Sequence, residues 1–386
     1  MTGHVRRRGT KSWELKFDLS TDPLTGKRLT RYCTFKGTKR EAEKKLAALI
    51  TAAEKGEYVD LSKITLAAFL DRWERDWALS NVSPKTSERY RELTRCHVRP
   101  HLGAAQLQKI KPVHFAELYA KLLRDEDGLG LAPRTVGHVH RVLHRALGHA
   151  VEWGLLVSNP VSVKPPKVEG VEIEILSEDQ VRSVLLLLRR KSVYPLVAVG
   201  LATGMRRGEL LALRWRDVDL DAGRLRVEQS LEQTKAGLRF KPPKTRYGRR
   251  TISLPASVVV ELRSLRKSQA ELRLKLGQGR APDDALVFGT GDDQPRSPNA
   301  VTKEWARTIV QLNLPRVSLH ALRHTHASQL IASGMDVLTI SRRLGHGSPT
   351  ITLGVYGHLF SNSDDRAAQV MEAAFAFAGT EQEQIG

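Results

Sequence analysis

The 386-residue sequence is poor in cysteine, and it contains no long run of apolar residues. Its two cysteines, Cys33 and Cys96, are too few for a disulfide framework or a thiolate metal site, and they favour a reducing cytoplasm. The first 20 residues contain no continuous apolar segment, and no later run approaches about 18 apolar residues. These absences predict a globular protein that is neither secreted nor inserted in a membrane.

Signals for nucleotide and metal binding are also missing. The pair Gly26-Lys27 is followed by Arg28, whereas a P-loop requires Ser or Thr there. Three histidine pairs have the i, i+4 spacing of a helical zinc site: His97/His101, His140/His144 and His320/His324. None of them reads His-Glu-x-x-His or has a convincing third ligand nearby, so we expect no metal and no cofactor.

Positive charge is abundant. The 62 Lys and Arg residues exceed the 42 Asp and Glu residues, which gives a net charge of +20 and a pI of about 10.1. Binding to DNA would release condensed counterions and favour the complex, although a solvated basic surface is the alternative explanation.

The N-terminal region, residues 1–58, has the pattern of a small sheet and a helix. Apolar residues alternate from Trp13 to Leu19, a second extended run covers Leu29 to Phe35, and Thr38 with Glu41 forms a capping box before a helix. The period changes near residue 64, where Leu66, Phe69, Leu70, Trp73 and Trp77 have helical spacing. We therefore predict an all-α domain over residues 62–162.

Two helices of this domain should begin at Pro84 and Pro133, since proline is favoured at the first helical position. Both start with polar and basic side chains. As contacts to a phosphate backbone we select Lys85, Thr86, Arg89, Arg134, Thr135, His138 and Arg141. Ordinary solvated helix faces would show the same pattern.

An exposed linker is predicted at residues 163–175, and a mainly helical domain at 176–378 that starts with a capping box at Ser177. Within it, Arg224 to Val227 and Arg249 to Leu254 are predicted strands that flank a basic hairpin. The last residues, 379–386, are predicted to be disordered. The predicted fold class is thus multidomain α+β.

Five short stretches in this third domain resemble the catalytic boxes of the tyrosine recombinases, in particular the phage-type integrases. They are Thr203-Gly204-Met205-Arg206, Pro242-Pro243-Lys244-Thr245, His320-Ala321-Leu322-Arg323, Leu344-Gly345-His346-Gly347 and Val355-Tyr356-Gly357-His358. Their order and number make the match specific, although each is weak alone. The resemblance implies the tyrosine recombinase catalytic fold and the integration and excision of phage or mobile-element DNA.

The resemblance also implies a role for each catalytic residue. Arg206 and Arg323 would bind the non-bridging phosphate oxygens, and Lys244 would protonate the leaving 5′ oxygen. His320 would act in acid–base chemistry, His346 would add a hydrogen bond to the phosphate, and Tyr356 would be the nucleophile. Glu209 would support Arg206, unless the two form only a surface ion pair. In the hairpin, Lys241 is the rival of Lys244, and Lys241 and Arg246 are further candidates for phosphate contacts.

For the whole chain, the resemblance implies an arm-type DNA-binding domain at 1–58, a core-binding SAM-like domain at 62–162 and a catalytic domain at 176–378. The implied partners are double-stranded DNA with core-type and arm-type sites, three further protomers in a homotetramer, a recombination directionality factor and a host DNA-bending protein. The implied location is the nucleoid of a bacterial cytoplasm. A helix over residues 363–377 would be exchanged between protomers, or it would pack on its own core.

Two other functions stay open at this stage. A type IB topoisomerase-like enzyme would use the same cleavage chemistry without paired sites, and a DNA-binding regulator would retain the boxes without activity. Dependence on paired sites separates the first from a recombinase, and a covalent protein–DNA adduct separates the second.

Overall fold

The computed structural model describes residues 3–21, 26–55, 58–60, 62–124, 130–169, 174–243, 245–360, 368–369, 371–372 and 375. They belong to two compact units, Met1–Gly170 and Val171–Gly386. The division falls inside the segment predicted to be a linker. Lys244, the tail at 379–386 and most of the predicted helix at 363–377 lie outside the described residues.

The first unit opens with an antiparallel sheet in the order β1-β2-β3. The strands are β1 (Gly3–Gly9), β2 (Ser12–Thr21) and β3 (Arg28–Lys36), and helix α1 (Lys39–Glu54) follows. Leu15 and Phe17 of β2 are fully buried against Ala42 and Leu46 of α1. The predicted alternation and the capping box at Thr38 are confirmed.

The rest of the first unit is helical. Its elements are α2 (Leu66–Trp73), a π-helical turn (Glu74–Ala78), α3 (Leu79–Asn81), α4 (Pro84–His97), α5 (Arg99–Leu102), a 3-10 turn (Leu107–Lys109), α6 (Pro112–Leu123) and α7 (Pro133–Glu152). Proline occupies the first helical position of α4 and α7, as predicted. The apolar face of α7 is buried, and its polar side chains are left at the surface.

Over its described residues, the second unit is mainly helical with two small sheets. The helices are α8 (Glu178–Leu188), α9 (Tyr194–Thr203), α10 (Arg207–Leu211), α11 (Ala256–Lys275), α12 (Pro298–Gln311), α13 (Ala321–Ala332), α14 (Val337–Leu344) and α15 (Pro349–Tyr356), with 3-10 turns at Trp215–Asp217, Arg246–Gly248 and Gly357–Leu359. The strands are β4 (Val218–Asp219), β5 (Arg224–Val227), β6 (Ser230–Thr234), β7 (Gly237–Lys241) and β8 (Arg250–Ser253). The predicted α+β fold class is confirmed.

Strands β6 and β7 form the basic hairpin, and β6 packs beside α10 and α12. One sheet has the order β4-β5-β8, and β6 pairs with β7 in a hairpin between β5 and β8 along the chain. Beneath this sheet, Val197 of α9 and Leu322 of α13 belong to one buried core. Packing of α13 on this core fixes the position of its first turn, which carries His320 and Arg323. No helix in the described ranges is long and apolar enough to cross a membrane.

Candidate active site

Arg323 is a buried cation with one N–H group left free. Its side chain is only 3% exposed, and Nη1 donates a 2.7 Å hydrogen bond to the carbonyl of Gly204. Nη2 is buried and has no hydrogen-bond partner among the described residues. Burial and the positive charge of Arg206 lower the pKa of Arg323 to about 9, so the group is still charged at neutral pH. A buried N–H without a partner costs about 1–3 kcal/mol, and an anionic ligand would remove that cost.

The turn that accepts this hydrogen bond requires glycine. Gly204 ends α9 with a φ of 64°, a left-handed conformation that side chains rarely adopt. A Cβ atom there would also lie 2.6 Å from Cδ2 of His326. Gly204 thus lets the chain turn directly from α9 into Arg206, the last residue of the same box.

Arg206 is anchored by Glu209. Its Nη1 donates to Oε1 of Glu209 at 2.9 Å, and Oε2 of the same carboxylate accepts a 2.9 Å hydrogen bond from Arg250. Burial alone would raise the pKa of Glu209, but the two arginines outweigh it and lower the pKa. The expected Arg206–Glu209 pair therefore exists, with its carboxylate buried, while 42% of the Arg206 side chain is exposed to solvent.

Gly345 and its neighbours connect this ion pair to the fourth box. Nη2 of Arg206 donates to the carbonyl of Gly345 at 3.3 Å, and Nε of Arg250 donates to the carbonyl of Arg343 at 2.7 Å. Gly345 ends α14 in the left-handed conformation, with a φ of 67°. The first and fourth boxes are thereby fixed to each other before any substrate binds.

His320 and His346 are neutral at physiological pH. Partial removal from water and nearby arginines lower the pKa of each to about 4, although one side of His320 is open to solvent. Nδ1 of His346 lies 2.8 Å from Oγ1 of Thr352, which sets the plane of the ring. Neutral imidazoles can donate one hydrogen bond and accept another, so both rings suit contacts to a phosphate oxygen.

Tyr356 is the last residue of α15, and it is only 2% exposed. Its hydroxyl lies 2.7 Å from Nδ1 of His324. Burial raises the pKa of Tyr356 to about 12, against a smaller lowering effect of Arg323. Only about one phenol in 10⁵ is then ionised at pH 7, so attack requires a change of environment when a substrate arrives.

The basic hairpin is described up to Pro243 and again from Thr245. Lys241 forms a short ion pair with Glu232 across the hairpin, and Arg246 is exposed at the start of the following turn. The predicted acid, Lys244, lies outside the described residues. After it, the chain returns close to Pro243, because a Cβ atom added at Gly248 would overlap Cβ of Pro243.

The predicted phosphate contacts of the first unit lie on α4 and α7, which pack side by side. Arg89, His138 and Arg141 line one cleft between these helices. Nη2 of Arg141 lies 2.8 Å from Nδ1 of His138, and Arg89 pairs with Glu92. The remaining candidates sit in the first turns of the two helices outside that cleft: Lys85, Thr86, Arg134 and Thr135.

The structure also shows supporting residues that the sequence patterns did not identify: His324, His326, Arg250 and Arg343. His326 is buried, with Nδ1 2.7 Å from the Leu201 carbonyl and Nε2 accepting from Arg343. In the sequence, His324 has the i, i+4 spacing from His320 that is typical of a helical metal site, and this spacing does not indicate its contact with Tyr356. Within the described ranges, no three His, Cys, Asp or Glu side chains cluster as metal ligands.

Comparison with known proteins places this geometry in a family. Residues 174–363 match the model of the phage integrase family, and residues 65–123 match the phage integrase N-terminal SAM-like domain. A tyrosine recombinase XerC-like protein of Caldanaerobacter subterraneus is 27% identical over 88% of this chain and 90% of its own length.

Solved structures share the fold. The Tn1549 transposon integrase in complex with transposon right end DNA has a TM-score of 0.69 and 21% identity, and the match covers 80% of this chain and 99% of that one. A lambda integrase tetramer bound to a Holliday junction has a TM-score of 0.54 and 19% identity, and the match covers 90% of this chain and 96% of that one. The chain belongs to the phage integrase family of tyrosine recombinases.

Proposed function

We propose that this chain is a site-specific DNA recombinase that cuts a strand through Tyr356 and joins the end to another strand. The observation that carries the proposal is the buried Arg323 guanidinium, whose free N–H and charge act in the same site as the Tyr356 phenol. Beyond the effect of burial, Arg206 lies close enough to lower the pKa of Arg323, and the two arginines together lower the pKa values of His320 and His346. Such a set matches a phosphodiester and a nucleophile.

In the proposed reaction, the phenolic oxygen of Tyr356 forms a bond to phosphorus as it loses its proton. The bond from phosphorus to the 5′ oxygen breaks, and that oxygen takes up a proton. A 3′-phosphotyrosyl bond and a 5′ hydroxyl result. Arg206 and Arg323 would bind the charge that grows on the non-bridging oxygens, and the loss of one such donor typically costs about 3 kcal/mol of barrier.

Lys244 is the proposed proton donor to the 5′ oxygen. Its rival, Lys241, is already paired with Glu232, and this ion pair holds its ammonium group in the hairpin. This contact supports Lys241 as a structural or phosphate-binding cation and leaves the acid role to Lys244. Arg246 is exposed and follows Lys244 by two residues in the sequence, and we propose that it contacts the phosphate backbone.

The phosphotyrosyl bond would retain the energy of the cut phosphodiester, so religation would need no ATP. The charges of Arg206 and Arg323 would do the work that divalent ions perform in two-metal nucleases. We therefore propose a reaction without nucleotide or metal.

The proposed substrates are paired DNA sites of a phage or other mobile element. Residues 62–162 would bind core-type sites through the basic faces of α4 and α7, residues 1–58 would bind arm-type sites, and residues 176–378 would catalyse the reaction. The lambda integrase tetramer on a Holliday junction supports assembly as a homotetramer on DNA. A directionality factor and a host DNA-bending protein are the further proposed partners.

Covalent trapping tests the proposal. Wild type and Tyr356→Phe are incubated with nicked duplexes from the junctions of the element, and protein–DNA adducts are resolved under denaturing conditions. The nick lets the short 5′ product diffuse away, so a phosphotyrosyl adduct accumulates. We expect an adduct with wild type and none with Tyr356→Phe, while both proteins bind the duplex equally.

Equal binding without any adduct on a verified site would contradict the proposal and favour a DNA-binding regulator. An adduct accompanied by relaxation of plasmids that carry a single site would instead indicate a topoisomerase-like enzyme. Strand exchange only between paired sites would support the recombinase.

A further inference from the structure

The Tyr356 hydroxyl is held by a histidine that stands outside the predicted catalytic set. His324 lies one residue after Arg323 on α13, and its Nδ1 is 2.7 Å from the hydroxyl of Tyr356 on α15. Both side chains are largely shielded from solvent. The contact joins two helices across 32 residues of sequence.

We propose that His324 positions the nucleophile by accepting a hydrogen bond from the Tyr356 hydroxyl. The proposal rests on the function proposed above and adds a positioning residue to the same site. A phenol whose hydrogen points to His324 must direct its oxygen lone pairs elsewhere. The contact would therefore select one orientation of the attacking oxygen before the phosphate arrives, which is how fixed geometry lowers a barrier.

The other imidazoles of the site are engaged differently. Nδ1 of His346 lies against Thr352, and the ring of His320 meets the ring of His324 at 90° with 4.8 Å between centroids. In the described part of the site, the Tyr356 hydroxyl is hydrogen-bonded to His324 alone. His320 would then be free for the substrate while it limits the tilt of the His324 ring.

The charge state of the pair agrees with positioning. Burial and the adjacent Arg323 lower the pKa of His324 below its usual value, while burial raises the pKa of Tyr356 to about 12. At neutral pH the imidazole is therefore neutral and the phenol keeps its proton. Transfer of that proton to His324 in the DNA-free protein would be strongly unfavourable, so acceptance of a hydrogen bond is the role that fits.

Two substitutions at one position test the idea. His324→Ala removes the acceptor, whereas His324→Asn offers a side-chain oxygen near the place of Nδ1 without an imidazole. The rate of adduct formation is measured with nicked duplex at saturating protein, together with DNA affinity and the thermal unfolding of each variant. We expect His324→Ala to slow adduct formation about 10- to 100-fold with unchanged DNA affinity, and His324→Asn to restore most of the rate.

The pH profile provides a readout that a purely structural role would not change. A protonated His324 cannot accept a hydrogen bond at Nδ1, and the titratable and charged groups close to it are Tyr356, His320, Arg323 and His346. The wild-type rate should therefore fall as pH drops below about 6.5, through the lowered pKa of His324. In His324→Asn this part of the decline should disappear, because the amide does not titrate there.

A matched control is available in the other compact unit. Nδ1 of His149 accepts a 2.7 Å hydrogen bond from Nε1 of Trp73, so His149→Ala removes a bond of the same length between an aromatic side chain and an imidazole. Its adduct rate at saturating protein should equal that of wild type.

The outcomes distinguish this inference from the proposed function. No adduct from wild type would refute the function itself. An adduct from wild type with an equal rate in His324→Ala, or equal losses in the Ala and Asn variants of folded protein, would overturn the positioning role alone.

Discussion

Glu209 connects two arginines that reach the site from different parts of the chain. Arg206 precedes it by three residues, and Arg250 follows it by 41, from β8. The carboxylate is only 3% exposed. Because a buried carboxylate between two guanidinium groups offsets their mutual repulsion, Glu209 is expected to stabilise the folded site as well as orient Arg206.

Glu209→Gln should therefore destabilise the protein. The change leaves Arg250 buried with a neutral partner, and the loss of one member of a buried ion pair typically costs about 3–5 kcal/mol. Denaturant unfolding of the two proteins at pH 7 measures this difference. Adduct formation should also decline, because Arg206 loses the contact that fixes its guanidinium.

The pH dependence of this difference has a definite sign. The pKa of Glu209 is lowered in the folded protein, so its stabilisation is complete above its ordinary value of about 4.5 and is lost as pH falls through the folded value. The difference in free energy of unfolding between wild type and Glu209→Gln should thus become smaller in acid. Glu271→Gln is the matched control, since that exposed carboxylate pairs with Lys267 at 4.0 Å and should have a much smaller effect. A gap that is constant with pH would contradict the argument.

At the residue scale, the motifs predict which side chains meet but not what holds them. Arg206, His320, Arg323, His346 and Tyr356 lie in one unit, as their boxes suggested, and their catalytic roles stay a prediction. The supporting contacts of His324 and Arg250 could not be read from the sequence. His324 contacts Tyr356, which is 32 residues away in the sequence. Arg250 contacts Glu209 and Arg343, which are 41 and 93 residues away, and only tertiary packing brings these partners together.

At the scale of elements, the turn at Gly345 fixes α14 beside β8. Its φ of 67° ends the helix, and a Cβ atom there would lie 2.9 Å from Nη1 of Arg250 and 3.0 Å from the carbonyl of Tyr247. Neither neighbour can move freely, since Arg250 binds Glu209 and the carbonyl belongs to the backbone. The close approach of β8 and α14 therefore depends on glycine, which has no side chain, at position 345.

Gly345→Ala should lower stability by more than the roughly 1 kcal/mol typical of an unfavourable left-handed residue, because steric overlap adds to the backbone strain. Thermal and denaturant unfolding would measure the loss. The same variant should form adduct more slowly, since displacement of Arg250 disturbs the Glu209–Arg206 pair.

Gly354→Ala provides the control within α15. No atom lies within 4 Å of its added Cβ, and the residue is helical, so the substitution should be neutral or stabilise by about 0.4–1 kcal/mol. If both alanine variants unfolded at the same denaturant concentration, the packing argument for Gly345 would be wrong.

Local signals predicted the elements that have their own caps or periodicity. The capping boxes at Thr38 and Ser177, the proline starts of α4 and α7, and strands β5 and β8 are all present. Strand β1 was not predicted, because His4-Val5-Arg6-Arg7-Arg8 shows no apolar alternation. It forms by backbone pairing with β2, an interaction that leaves no mark on side-chain periodicity. The spacing of Trp73 and Trp77 predicts a regular helix there, and the structure has a π-helical turn at Glu74–Ala78 instead.

For the whole molecule, the sequence predicts three domains, and that division stays a prediction; the described residues belong to two compact units. The N-terminal sheet and the helical region share the first unit. Their predicted boundary at residues 58–62 follows from a change of hydrophobic period, which reports the type of secondary structure, and the two regions have separate buried clusters. The assignment of separate DNA-binding roles to these two regions stays a prediction.

The net charge of +20 predicts salt-sensitive DNA binding, and the contribution of single cations can be measured. Arg141 is exposed on α7 beside the cleft that Arg89 and His138 also line. If it binds a phosphate, Arg141→Ala should reduce the slope of log Kobs against log salt by about 1, and it should weaken binding to all sequences alike. Titrations of core-site and unrelated duplexes at several salt concentrations would measure both effects.

Lys267→Ala separates local contact from total charge. Lys267 is 81% exposed on α11, in the second unit, and it also has an acidic neighbour on its own helix. Both variants lower the net charge by one, so a general electrostatic attraction would change their affinities to a similar small extent. A slope change confined to Arg141→Ala would indicate release of a counterion at a defined phosphate. Equal slopes for the two variants would mean that this face of α7 is only a solvated surface, and that DNA is bound through other cations of the chain.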